Sequence, residues 1–355
     1  MIDRRKHIPL YIQLADLIRQ QIINGTIKPG DKLISEAAMI RKYQLGRLTI
    51  REALSVLVNE GLLEKHHGKG TYCKAKPVDE KQYNFDLLLD MKDVYFIPYY
   101  LHSICEVFEK EDCSVKINDT KNNSKTIVSI LEKIAETGSD GVIFQPSNIA
   151  QDQPDEVSQA LSHLEKKGIP YIMLDGTYDN VPQSNVILNE FRVGELAAEF
   201  LLQYGHSEIC MIYCSNQKDS LLRLSGFKNI LGEAPILIDF SPVLANDIKN
   251  TIAKTPNLTA FFCNNDIIAK QCVSIINDLG YRVPEDISVI SVDNTVIAST
   301  MLPSLTTISH PKEKLGEVIA KALLDIKKKK TIWPYQKTFE PEIILRNSVK
   351  NIKVL

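Results

Sequence analysis

The stretch Tyr43–Val58, YQLGRLTIREALSVLV, carries two arginines near its start and closes on an apolar stripe. Ile50, Leu54, Leu57 and Val58 recur at helical spacing and predict one buried face. Arg47, Thr49 and Arg51 crowd the first turn, where free backbone N–H groups favour an anion. An arginine there can bond guanine O6 and N7 in pairs or clamp a phosphate. A plain surface helix and a helix that reads a polyanion share this pattern, so its neighbours decide.

Upstream, PLYIQLADLIRQQIINGTIKPG places Leu10, Leu14, Leu17, Ile18 and Ile22 on one helical stripe, stopped by Asn24-Gly25 and Pro29-Gly30. SEAAMIRKYQLG predicts a short second helix, with Ser35 as N-cap and Gly46 as the turn glycine past its end. Downstream, LLEKHHGKGTYCK reads as two short strands around a tight tip at His66–Gly70. A short helix, a turn and a helix led by arginine are the parts of a helix–turn–helix. Lys69 and the two histidines of the tip are placed to reach the backbone or an adjacent minor groove. His66-His67 as a metal site lacks a third ligand nearby in sequence.

Charge separates along the chain. Residues 1–76 hold fourteen Lys and Arg against seven Asp and Glu, and the remainder holds twenty-eight against thirty-seven. A basic head on an acidic body points to a polyanion partner for the head alone. KAKPVDEKQ, Lys74 to Gln82, is charged and lacks apolar periodicity, so it reads as a linker. The predicted organisation is a head over 1–76, a linker over 77–83 and a body over 84–355.

The body alternates short apolar runs, such as FDLLLDM, DGVIFQP, PYIMLD, TAFFCNN and ISVISVDN, with helical stretches that often end in glycine. That alternation predicts α/β architecture with parallel sheets covered on both faces. Such sheets bind ligands at the carboxyl ends of their strands. Asp175 follows PYIML, Asn265-Asp266 ends TAFFC, Asp293-Asn294 ends ISVISV, and Arg223 stands in LLRLSGF. Carboxylates, an amide and one fixed fork of donors suit a polyhydroxylated neutral ligand.

These motifs also carry two resemblances. Nearly all of residues 8–73 resembles the winged helix–turn–helix head of GntR-type bacterial regulators, through G-x-I-x-P-G-x-K-L, Ser35-Glu36, R-x-T-I-R-E-A-L and G-L-L…G-x-G-T-Y. The resemblance implies that Arg47, Thr49 and Arg51 contact double-stranded operator DNA, with the wing of His67, Lys69 and Thr71 on the neighbouring groove. The chain departs from the family's usual residues at Ile34, Ala37 and Gly46.

From about residue 84 to 347, GVIFQPS, GIPYIMLD, RLSGF, AFFCNNDIIA and LPSLTTISHPKEKLG resemble the effector domain of LacI-type repressors, a two-lobed type I periplasmic-binding-protein fold. That resemblance places Asp175, Arg223, Asn265 and Asp293, with Gln145, on sugar-contacting positions. It puts the crossovers between lobes near 187–189, 309–311 and 335–337. Together the two resemblances imply a homodimeric repressor of carbohydrate-utilisation genes, controlled by a small sugar. L-arabinose is the first candidate, with another pentose or a deoxyhexose open, and an activator shares the architecture.

A sugar-modifying enzyme is the competing class, but no P-loop, G-x-S-x-G, H-E-x-x-H or clustered metal ligands occur. No cofactor or metal is expected. The seven cysteines are scattered without C-x-x-C spacing and read as reduced thiols. With no run of about 18 apolar residues and no signal-peptide pattern, the expected location is the cytoplasm, without membrane attachment.

Overall fold

A computed structural model of the chain describes residues 9–353, apart from 24–25, 67–68, 75–82, 151–154, 179–180, 183 and 233–234. It divides into two units, Met1–Lys81 and Gln82–Leu355. The expected linker falls almost wholly outside the described residues.

In the first unit, α1 (Leu10–Ile23), α2 (Glu36–Tyr43) and α3 (Arg47–Asn59) precede a hairpin of β1 (Leu63–His66) and β2 (Gly70–Cys73). The stripe Ile50, Ala53, Leu54 and Leu57 of α3 is buried against Leu14 and Ile18 of α1 and Met39 of α2. The hydroxyl of Ser35 caps α2, accepting from the Ala38 amide at 3.2 Å. In the turn that follows, Gln44 takes the left-handed conformation, with φ 54°, and Gly46, past the end of α2 as expected, has φ −64° and serves as the N-cap of α3. The hairpin is antiparallel, pairing Leu63 with Cys73 and His66 with Gly70.

The second unit has two lobes. The first contains β3 (Asn84–Leu89), α4 (Ile97–Lys110), β4 (Ser114–Asp119), α5 (Ser124–Thr137), β5 (Gly141–Phe144), α6 (Glu156–Lys166), β6 (Tyr171–Leu174) and β7 (Asn185–Leu188). The chain then crosses into the second lobe. There lie α7 (Glu190–Gln203), β8 (Ile209–Tyr213), α8 (Lys218–Leu231), β9 (Ile236–Asp239), α9 (Leu244–Lys254), β10 (Ala260–Cys263), α10 (Asp266–Asp278), β11 (Ser288–Asp293), α11 (Val296–Thr300) and β12 (Thr306–Ser309). Helix α12 (Lys312–Lys327) and β13 (Gln336–Phe339) return to the first lobe, and β14 (Glu342–Ile344) goes back to the second.

The sheet orders are β13-β7-β6-β5-β3-β4 and β14-β12-β11-β10-β8-β9. All pairings are parallel except that of β14, which lies antiparallel on β12 at a sheet edge. Strands β5, β6, β10 and β11 are buried along their whole length, as helices on both faces require. Two crossovers fall where expected, between Leu188 and Glu190 and between Ser309 and Lys312. The third lies at 340–341 rather than 335–337, because residues 336–339 still pair with β7.

Helices α7 and α8 touch backbone to backbone. No Cβ fits at Gly194 against the Arg223 carbonyl, nor at Gly226 against the Phe191 carbonyl. This close crossing brings Arg223 of α8 beside Glu190, the first residue of α7.

Candidate effector cleft and nucleic-acid face

On the head, the side chains of Arg47 and Arg51 are 71% and 54% exposed. Both face Glu36 at the start of α2, whose Oε2 lies 3.0 Å from Arg51 Nε and 3.8 Å from Arg47 Nε. Thr49 is half-buried beside them, and no side chain caps α3. Lys69 is exposed at the hairpin tip and Thr71 is half-buried in β2, opposite Lys65. His67 lies outside the described residues. Arg47, Thr49 and Arg51 thus share one helix start, and Lys69 and Thr71 share the hairpin.

In the body, a cavity of about 590 Å³ opens between the lobes, and Gln145, Asp175, Arg223, Asn265 and Asp293 all line it. Four of them, all but Arg223, follow or end their strands, and two of these need unusual backbone: φ is 52° at Asp175 and 109° at Asp293. Non-glycine residues adopt such values at a cost of about 1–3 kcal/mol, and they concentrate at functional sites.

Arg223 is 2% exposed and largely committed within the protein. Its Nε and Nη2 donate to the two Glu190 oxygens at 2.6 and 3.0 Å, and Nη1 donates to the Asn264 carbonyl at 2.6 Å. Burial opposes its charge, but Glu190, Asp219 and Asp293 around it hold the pKa above its ordinary value. Its Nη2 stands 4.0 Å from Asp293 Oδ1.

Asp293 accepts from the Tyr95 hydroxyl at 3.0 Å through Oδ2, while Oδ1 has no hydrogen-bond partner among the described residues. Burial pushes its carboxyl up to about 7, against the pull of Arg223. Lys312 Nζ donates to the Asp293 carbonyl and stands over the Phe96 ring.

Asp175 accepts from Tyr100 Oη at 2.6 Å and meets His310 Nε2 at 3.0 Å. Burial would raise its pKa, but His310 and Tyr100 hold it below the usual value. Burial would lower His310, and the Asp175 carboxylate reverses this, so the imidazole titrates above its ordinary value. His310 is also stacked on Phe96, with ring centroids 4.9 Å apart. Asn265 Oδ1 accepts from the Ile268 amide at 2.9 Å and caps α10. Its neighbour Asn264 is 1% exposed, and its Oδ1 has no hydrogen-bond partner among the described residues.

The lobes also meet at the edge of the cavity. Asn148 Nδ2 donates to Asp219 Oδ1 at 3.1 Å, and the Ala150 amide donates to the Asn216 carbonyl at 2.9 Å.

Tyr95, Phe96, Tyr100, Glu190, Asn264 and His310 escaped the sequence reading. The aromatic cluster of VYFIPYY and the lone histidine of TTISHP were the available signals. Ligand atoms of Asp175, Glu190 and His310 lie within 4.8 Å of one another. Both Glu190 oxygens are held by Arg223 and the imidazole Nε2 faces Asp175, so these ligand atoms are already engaged in ion pairs with one another and with Arg223.

A winged helix–turn–helix head joined to a two-lobed body with a polar cleft defines a DNA-binding transcriptional regulator with an effector domain. Residues 10–73 match the model of the bacterial regulatory proteins of the gntR family, and residues 198–349 match that of the periplasmic binding protein-like domain. The arabinose metabolism transcriptional repressor of Geobacillus stearothermophilus is 29% identical over 98% of this chain and 100% of its own length. The HTH-type transcriptional repressor PurR of Mannheimia succiniciproducens is 31% identical, over 72% of this chain and 78% of its own.

Among solved structures, a LacI family transcriptional regulator from Enterococcus faecium with bound ribose is 25% identical, at TM-score 0.60 over 76% of this chain and 100% of that one. The lac repressor dimer bound to operator and the anti-inducer ONPF shares the fold at TM-score 0.64 and 20% identity, over 77% and 96% of the two chains. The chain belongs to the bacterial transcriptional regulators that join a GntR-type head to a LacI-type, periplasmic-binding-protein-like effector domain, and not to a family of enzymes.

Proposed function

We propose that this regulator represses carbohydrate-utilisation genes and that a small neutral sugar in the cleft controls it. The observation that carries the reading is the set of buried polar atoms with no hydrogen-bond partner among the described residues: Asp293 Oδ1, Asn264 Oδ1 and His310 Nδ1. All three residues border the same cavity. A buried polar atom costs free energy unless it is hydrogen-bonded, so a ligand bearing hydroxyl donors answers two acceptors directly. The cavity's volume suits a small molecule. Six carboxylates, Asp90, Asp93, Asp175, Glu190, Asp219 and Asp293, border it against Arg223, Lys218 and His310, which disfavours an anionic ligand.

Likeness to the arabinose repressors makes L-arabinose the first candidate, and another pentose or a deoxyhexose the alternative. Gln145, Asp175, Arg223, Asn265 and Asp293 are the proposed ligand residues, with Asn264 and His310 added. Arg47, Thr49, Arg51 and the wing residues His67, Lys69 and Thr71 are proposed to hold double-stranded operator DNA. The head is assigned to 1–76, the linker to 77–83 and the effector and dimerisation domain to 84–355. The protein works as a homodimer in the cytoplasm. Among the described residues, no helix is long and apolar enough to cross a membrane.

Control requires the sugar to bind one DNA-affinity state better than the other. A tenfold to hundredfold change in operator affinity needs only ~1.4–2.7 kcal/mol of differential binding. Titrating L-arabinose, other pentoses and fucose into the operator complex tests this by fluorescence anisotropy. Release by one of them is expected, and operator affinity unchanged across the panel overturns the sugar assignment.

A further inference from the structure

The exposed face of α3 contains a residue that the polar-contact reading of the head does not use. Leu48 is 71% exposed, the most exposed large apolar side chain described in the first unit. At about 100° per residue, it lies roughly 180° round the helix from Leu57, the centre of the buried stripe. It therefore points directly away from the core, on the exposed face between Arg51, three residues on, and Glu52, four residues on. Arg51 bonds Glu36 at 3.0 Å and Arg47 stands 3.8 Å from the same carboxylate, so both guanidinium groups gather to one side of the leucine. Gly46, immediately before this turn, adds no bulk: a Cβ there meets nothing nearer than Thr49 Oγ1 at 3.9 Å.

We infer that Leu48 is a specificity-determining residue that packs on the 5-methyl group of a thymine in the major groove. This rests on the DNA-binding reading of the head. Within that groove the thymine methyl is the one apolar feature a base edge presents, and apolar side chains are its partners. A leucine set among arginines gains nothing from phosphate or from guanine. Against a methyl group it buries surface that the isolated head leaves in water. Arg47 and Arg51 bring the helix start to the duplex, and Leu48 adds a requirement for thymine at one position of each half-site.

The test uses full-length protein and a duplex selected by it from a random library. Each thymine of that duplex is replaced in turn by deoxyuridine, which deletes only the methyl group. Affinities are measured for the wild type and for Leu48→Ala, whose exposed position leaves the fold intact. At one thymine per half-site, deoxyuridine weakens wild-type binding by about fourfold, the equivalent of one buried methylene. Leu48→Ala weakens the thymine duplex similarly, and there the two changes together cost no more than either alone. If every deoxyuridine affects both proteins equally, or none affects either, Leu48 does not read a methyl group. A chain that enriches no duplex at all overturns the DNA-binding reading itself, which is a different result.

Discussion

Tyr95 and Asp293 meet across the cleft: the phenol donates to Oδ2 at 3.0 Å, joining residues 198 apart in sequence. Tyr95 comes from the turn before α4 in the first lobe, and Asp293 ends β11 in the second. The bond uses one carboxylate oxygen and leaves the other facing Arg223 at 4.0 Å. Burial then pushes the Asp293 carboxyl up from 3.8 to about 7.

This shift fixes a pH dependence. Because the folded pKa lies above the unfolded one, Asp293 contributes stability that is full below about 3.8 and is lost as pH rises to about 7. His310, also raised, contributes below 6.5 and loses that contribution as pH rises through its folded value. Asp175 is held low, so its contribution is lost only as pH falls below 3.8. Urea unfolding of the effector domain is therefore expected to show stability falling from about pH 4 to pH 7. Asp293→Asn should flatten that slope, and a slope unchanged by the substitution removes Asp293 as its cause. A sugar hydroxyl donating to Oδ1 favours the ionised carboxylate. Binding near pH 7 should thus release protons, visible by calorimetry in buffers of different ionisation heat.

Such relationships mark how far the sequence was legible. The stripe of Ile50, Leu54 and Leu57 and the strand-end positions of Asp175, Asn265 and Asp293 follow from periodicities that each segment carries within itself. Tyr95–Asp293 and Asp175–His310 join residues 198 and 135 apart, and nothing local announces such a pair. Arg223 lines the cavity, but its fork is taken by Glu190, a partner supplied by the glycine-mediated crossing of α7 and α8. The left-handed residue of the turn before α3 is equally illegible, because glycine is the usual occupant whereas Gln44 adopts that conformation here.

The Arg223–Glu190 pair makes a prediction about stability as well as binding. Arg223 is 2% and Glu190 11% exposed, so removing the cation leaves a nearly buried carboxylate without compensation. Arg223→Met should destabilise the effector domain by about 3–5 kcal/mol, and adding Glu190→Leu should recover most of the loss. Chemical denaturation of both variants checks this; a double variant no more stable than the single one contradicts it.

Asn265 separates two roles that coincide in one side chain. Its Oδ1 caps α10, and replacement of such a cap by alanine costs about 0.5–2 kcal/mol. Aspartate keeps the capping oxygen but lacks the amide donors. Asn265→Asp should preserve the melting temperature while weakening sugar binding, and Asn265→Ala should lower both. Sugar affinity left intact by Asn265→Asp would assign the residue to capping alone.

The head offers a parallel separation between reading and holding. Arg47 leads α3 with its side chain 71% exposed, while Lys69 stands at the hairpin tip. If Arg47 bonds a base, Arg47→Ala costs ~1–3 kcal/mol against the selected operator and relaxes preference at one base pair. A lysine on phosphate has no such preference, so Lys69→Ala should weaken all duplexes alike and reduce the salt slope by about one ion. Both are measured as affinity against salt, on the operator and on single-base variants. Equal losses on every duplex for Arg47→Ala would move that arginine from the base edge to the backbone.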